Sequence, residues 1–379
     1  MNVRDRGRRR LSTAGLAVVL TVVTTAAMTG CARFDNAQSE PFTTRAEGGG
    51  GVATTTTPPP PLPGKPFPKQ CPAPGVMQGC LETTSGLIMD EAKSALVAER
   101  TTGAVKRVSL TAEPTVKMVI PVDPAGDGGL LDIVASPSYV QDRLTFALIS
   151  TPTDNRVVRI ADGDVPKDIL TGIPKGANGN AGSLIFSSPT TLLVQTGDAG
   201  DPGLAGDPNS KAGKILRIEQ PTTVDQAPIT TALSGLGAGG GMCIDPKDES
   251  LYVTDRSPSG DRMQRITKDS KVSTVWTWPD KPGVAGCVAL DGTVVVNLVN
   301  TKETVALHLA PDTGAVTGDP EVIRKDRHGH AWSLAVSPDG NIWGATVNRA
   351  FGDAGEFDDV VFPLSTSGGG FPRANDEKT

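Results

Sequence analysis

Three histidines and five cysteines in 379 residues leave little reactive side-chain chemistry. No Gly-x-Ser-x-Gly elbow occurs, and no Cys/His pairing suggests a nucleophile. His308 stands alone on a strand-like run. His328 and His330, two residues apart, could share a strand face and hold Zn²⁺, but no Cys or carboxylate sits at matching ligand spacing. Helix signals are poor. The Gly-rich stretch from Thr196 to Pro208 is followed by no helix pattern, which excludes a Walker A or dinucleotide fingerprint. The net charge is −6. The first 30 residues hold five arginines and one aspartate, so the chain without them is near −10, and it gathers no Lys/Arg cluster. An acidic surface argues against nucleic acid and against electrostatic docking on anionic lipid.

What the chain does have is a repeat. Six copies of small residues, an apolar alternation, a turn and a second apolar run begin at Gly86, Gly129, Gly182, Gly240, Gly286 and His330. Turns follow at Ser136-Pro137, Ser188-Pro189, Asp245-Pro246, Asp291-Gly292 and Ser337-Pro338, with Asp90-Glu91 in the first copy. Pro137 and Pro189 are 52 residues apart and Pro189 and Pro246 57, while the 92 residues from Pro246 to Pro338 hold two units. Repeats of this length built from strands and turns predict an all-β, six-bladed β-propeller. The β-branched runs at Leu192, Leu251, Val272 and Thr293 agree. Several blades close on an apolar–Arg–apolar phrase, at Val105, Val157, Ile215 and Met263, in which the Arg is expected to point to solvent.

The N-terminus predicts export. Residues 1–30 combine the basic head Arg4–Arg10, an apolar run from Leu11 to Met28 and small residues before Cys31. The Gly30-Cys31 ending resembles a bacterial lipobox, which would place a lipid on Cys31 and hold the protein on the outer face of the cell membrane. An uncleaved membrane anchor is the competing reading. Residues 31–70 carry Gly48–Gly51, Thr54–Thr57 and Pro58–Pro61 and read as an extended tether. Residues 71–379 remain for the propeller. Four cysteines are left after Cys31, an even number that suits two disulfides in an exported chain. Cys71 and Cys80 flank a short Pro/Gly loop, and Cys243 and Cys287 occupy matching places in neighbouring repeats.

Asp198, Asp201 and Asp207 lie in the densest polar loop. Their spacing could serve Ca²⁺ but lacks the EF-hand order, and a solvated turn is the simpler reading. Gly182 to Arg217, with Thr196-Gly197-Asp198 and Ala212-Gly213-Lys214-Ile215-Leu216-Arg217, resembles the glucose/sorbosone dehydrogenase family; so do Gly126-Asp-Gly-Gly-Leu-Leu131 followed by Pro137, and Asp255 to Asp261. The resemblance implies a six-bladed propeller that oxidises sugars with pyrroloquinoline quinone (PQQ) and calcium. It also implies a catalytic His where this chain has Ser136, a hydroxyl too weak to act as base unaided. The family's quinone-holding Arg-Asn pair falls on Gly237 and Ala238, its Lys near Asn300 with Lys302 beyond, its Arg-x-Arg on His330 and Trp332, and its calcium turn on Ser257-Pro258.

No catalytic residue is expected, and neither PQQ nor Ca²⁺ is assigned. The expected function is a binding or interaction module of the cell envelope, with Asp198, Asp255, His328, His330 and Trp332 as channel-mouth candidates and a glycan, a small polar molecule or an envelope protein as partner. A divergent PQQ-dependent dehydrogenase is the alternative enzyme, and a scaffold the third class. Replacing Cys31→Ala should leave the chain unprocessed or release it from membranes. An unchanged cleaved mass and unchanged detergent partitioning would remove the lipobox.

Overall fold

The computed structural model describes Cys71 and residues 75–221, 228–311 and 313–364. The signal segment, Cys31 and the whole tether of residues 31–70 lie outside the described residues. Among the described residues, 23 strands form six small antiparallel sheets. Blade one is β1 (Thr84–Glu91), β2 (Ser94–Glu99), β3 (Ala104–Ser109) and β4 (Thr115–Val119). Blade two is β5 (Leu130–Ala135), β6 (Leu144–Ser150), β7 (Asn155–Ala161) and β8 (Lys167–Ile173), with the short helix α1 (Tyr139–Asp142) in its first hairpin. Blade three is β9 (Ser183–Ser188), β10 (Thr191–Gln195), β11 (Lys214–Glu219) and β12 (Ile229–Ser234), with α2 (Pro202–Gly206) between its middle strands. Blade four is β13 (Met242–Ile244), β14 (Leu251–Ser257), β15 (Gly260–Ile266) and β16 (Val272–Trp278). Blade five is β17 (Val284–Leu290), β18 (Thr293–Leu298), β19 (Glu303–His308) and β20 (Glu321–Lys325). Blade six holds β21 (Ala331–Val336), β22 (Ile342–Thr346) and β23 (Val361–Pro363), with α3 (Asn348–Phe351) before its last strand. Within each sheet the strands follow chain order from the inner strand outward.

The repeat and the blades coincide. Each copy's apolar alternation is an inner strand, and five of the six turns join it to the second strand. The sixth blade has three strands of its own, and the segment before β1 supplies the missing edge: Met77 N donates to Val361 O at 2.7 Å and Val361 N to Gln78 O at 2.9 Å. The two ends of the propeller thereby close one sheet. The Cys71–Cys80 disulfide fastens this segment.

The apolar residues cluster between neighbouring blades. Leu96, Val105, Leu130 and Ile149 fill the first, Phe146, Leu148, Leu184 and Leu192 the second, and Tyr252, Met263, Val296 and Leu307 the fourth. Both faces of a blade's second strand are therefore buried, which explains why those strands read as continuous apolar runs. Arg107 and Arg265 on the third strands are half-buried and reach Asp90 and Glu91, and Asp248, so they pair with edge acids instead of standing free in solvent. Lys106 and Lys214 are buried. Lys106 pairs with Glu99 at 2.6 Å, and Lys214 caps α2 through Ala205 O at 2.5 Å.

Cys243 and Cys287 are bonded, joining β13 to β17 across adjacent blades with Cα atoms 5.7 Å apart. The bridge closes a loop of 44 residues. Replacing both cysteines by Ala should lower stability by about 2–4 kcal/mol. Denaturant unfolding of the double variant beside the parent protein measures it, and equal midpoints and slopes would remove the bridge from the stability.

Candidate functional site

Two cavities lie on the propeller's axis. The first, of about 420 Å³, is the channel between the six inner strands. The second, of about 170 Å³, sits where the inner strands begin and is lined by residues of five blades. Blade one gives Thr83, Thr84, Ser85 and Arg100, and blade two gives Asp127 and Leu131. Ala181, Arg256 and Trp332 come from blades three, four and six, and Ala350 and Phe351 from α3. The cavities share Ser85 and Trp332.

Backbone geometry sets this mouth. Gly129, at φ +123°, lets Arg100 O approach to where a Cβ would be 2.1 Å away. The arginine is thereby pressed against the start of β5, and its Nη1 donates to Gly128 O at 2.7 Å. Gly237 likewise admits Arg256 O, 2.1 Å from where its Cβ would stand. Arg256 lies over the Trp332 ring at 4.9 Å and donates only to the carbonyls of Gly239 and Ala238, at 3.2 and 3.3 Å. Among the described residues no carboxylate comes within 4.0 Å of either guanidinium, so neither is ion-paired. Burial lowers both arginine pKa values; Asp127 opposes the shift in each, and Asp261, Asp255 and Asp198 also oppose it at Arg256. Even half-buried, a charge without a close counter-charge is costly.

Asp127 is the carboxylate of the pocket, and backbone and the Asn180 side chain already hold it. Gly179 N donates to it at 2.8 Å and Asn180 Nδ2 at 2.5 Å. The lining thus sets two guanidiniums against one satisfied carboxylate. Ser85 is 4% exposed, and its Oγ has no hydrogen-bond partner.

Of the residues expected at the mouth, Trp332 lines it. Asp255 is buried beneath, accepting from Gly237 N at 2.7 Å and pairing with Arg262 at 2.7 Å, and burial raises its pKa. Asp198 is buried too and accepts from Gly200 N at 2.9 Å. His330 stacks on Phe351 at 4.0 Å, behind the pocket wall. Its Nδ1 lies 2.6 Å from Val299 O and its Nε2 3.0 Å from Asp353, which also takes Lys302 at 2.6 Å. His328 stacks on Phe362 and does not join it. Asp201 caps α2 and Asp207 accepts from Asn209 N, so the Asp/Gly loop closes on its own backbone. Ser136 stands at the far end of β5 from the pocket and donates to Asp142 at 2.6 Å. Asn300 reaches Lys281 O, and Ser257 Oγ donates to Gly260 O within its hairpin.

Sequence reasoning passed over Arg100, Arg256 and Asp127. Arg256 and Asp127 sit inside stretches already singled out, and Arg100 follows the buried Glu99 at a strand end.

Residues 82–280 match the glucose/sorbosone dehydrogenase family. The chain belongs to that family. Over 176 residues it is 25% identical to the aldose sugar dehydrogenase YliI of Escherichia coli strain K12, covering 41% of this chain and 47% of that protein. The chain thus spans about half the length of the curated relative it matches. It is also similar to the PQQ-bound aldose sugar dehydrogenase of Streptomyces coelicolor, with TM-score 0.66 and 25% identity over 76% of this chain and 95% of that one. The apo soluble aldose sugar dehydrogenase of Escherichia coli shares the fold at 18% identity and TM-score 0.60, over 76% and 97% of the two chains.

Within this family fold one further carboxyl marks the channel. Asp132 accepts from Leu184 N at 2.7 Å and from Ile133 N at 2.9 Å, tying blade two to blade three. Burial pushes its pKa up to about 7, against those donors. Asp359, bonded to Thr346 and Asn348, is pushed up to about 7 by the same cause. The folded chain then holds protons that the unfolded chain releases near pH 4. The contribution of each group to stability therefore falls as pH rises from about 4 to 7 and levels off above. Asp132→Asn should flatten that decline by about 1 kcal/mol per pH unit. Denaturant unfolding at pH 5, 6, 7 and 8 reads it, and equal slopes in both proteins would acquit Asp132.

Proposed function

We propose that this chain is an exported, lipid-anchored binding propeller of the cell envelope whose ligand presents an anionic group to Arg100 and Arg256. One observation carries the reading: two half-buried guanidiniums line one pocket, and their only hydrogen-bond acceptors among the described residues are backbone carbonyls. An incoming carboxylate or phosphate would replace the missing counter-charge, and such charge-assisted bonds are the strong ones. Ser85 adds an unspent hydroxyl, and Trp332 and Phe351 add apolar walls. Cys31, with the basic head and apolar run before it, supports attachment to the membrane.

The dehydrogenase reading draws on the family and on the PQQ-bound Streptomyces coelicolor enzyme. The residues here do not fit that quinone. Two guanidiniums cannot answer three carboxylates while Asp127 stands among them. Gly237 admits no side chain. Lys302 and His330 are committed to Asp353. Asp127, the carboxylate of the mouth pocket, already accepts from Gly179 and Asn180.

Arg256→Gln should weaken binding of inorganic phosphate or of a sugar acid by roughly 10- to 100-fold, the worth of one charged hydrogen bond. Calorimetric titration measures it. Adding PQQ and Ca²⁺ should give no dye-linked oxidation of aldoses; turnover of about 1 s⁻¹ or more would establish the enzyme and end the binding reading.

A further inference from the structure

We propose that the channel behind the mouth pocket holds a hydrocarbon tail, so that the ligand is a single-chain amphiphile with an anionic head. The proposal rests on the binding reading above and names the class of its ligand. Three observations carry it.

The first is the lining of the channel. Half-buried apolar residues from five blades line it while also packing on the clusters between blades, among them Ile88, Val134, Ile185, Ile244, Leu334 and Val336. The Cys243–Cys287 disulfide lies in the same wall. Asp132 is the ionisable residue among those lining it, and both of its oxygens are turned to backbone N–H groups of β5 and β9. Leaving apolar surface wetted inside a channel costs free energy that a hydrocarbon chain would recover. A volume of about 420 Å³ falls within the span of ligand cavities lined mostly by apolar groups.

The second is the contrast between the two cavities. The mouth concentrates the unpaired cations, and the channel behind it carries none. A sugar or a bare anion would use the mouth and leave the channel without a role. A ligand charged at one end and apolar at the other uses both.

The third is the junction. Ser85 and Trp332 line both cavities, and the Ser85 hydroxyl is buried without a partner. It stands where the head of an amphiphile gives way to its tail, and a carboxyl or ester oxygen there would accept its proton. Trp332, with Arg256 over one face, would bound the first methylenes and hold the guanidinium toward the head.

Native mass spectrometry of the full chain, released from a non-ionic detergent, tests this with saturated carboxylates of two to sixteen carbons and the matching alcohols. The expected result is one carboxylate per chain, with affinity rising about three- to fourfold per methylene until the channel is full. Alcohols should bind at least tenfold more weakly, and Arg256→Gln should erase that preference. Ala335→Phe, which narrows the channel from β21, should abolish the dependence on length while short carboxylates still bind. Should that variant fail to fold by circular dichroism, Val336→Phe replaces it, and the length series on the parent protein stands by itself. Binding that depends on Arg256 but not on chain length would overturn the tail site and leave the anion site intact. Absence of carboxylate and phosphate binding would overturn both.

Discussion

The propeller depends on one closure, the pairing of the segment at Met77 and Gln78 with β23. No blade of this fold has a core of its own. Each buries its apolar faces only against its two neighbours, and the clusters sit between sheets. A row of such blades would leave two apolar faces wet at its ends. Bringing the start of the domain into the last sheet converts the row into a ring and removes those faces from water. The Cys71–Cys80 bridge and the Cys243–Cys287 bridge act on the same problem at different places. One fastens the closing segment, and the other holds β13, an inner strand of three residues, to its neighbour.

Closure also creates the site. Once the ring is complete, the starts of the inner strands converge, and residues more than 200 positions apart, such as Thr83 and Trp332, line one pocket. Glycines permit the approach. At Gly129 and Gly237 the neighbouring backbone occupies the space of a side chain, and the arginines at those contacts are held with few ways to turn aside. The pocket that results is cationic on an acidic protein, because the acids around it are already spent. Asp255 answers Arg262, Asp127 answers Gly179 and Asn180, and Asp353 answers His330 and Lys302.

Much of the fold was legible in the sequence because its signals are local. Apolar alternation over five or six residues, ended by Ser-Pro, Asp-Pro or Asp-Gly, is the same physical statement in each blade. The matching positions of Cys243 and Cys287 in the repeat suggested a bridge without deciding it, and the structure bonds them. The site was less legible. Asp198 and the His328–His330 pair drew attention because their residue types are chemically capable, yet Asp198 serves a turn and the two histidines stack on different rings. Arg100 and Arg256 looked ordinary because an arginine at a strand end is usually solvated or paired.

By itself, then, the sequence determined the six blades, their order and the turns between their strands, since these follow from patterns spanning a few residues. It also carried the family resemblance. Which charges remain uncompensated was decided by the tertiary structure alone. An arginine's partners depend on the carboxylates that other blades bring near and on the burial that raises the cost of lacking one, and neither can be read along the chain.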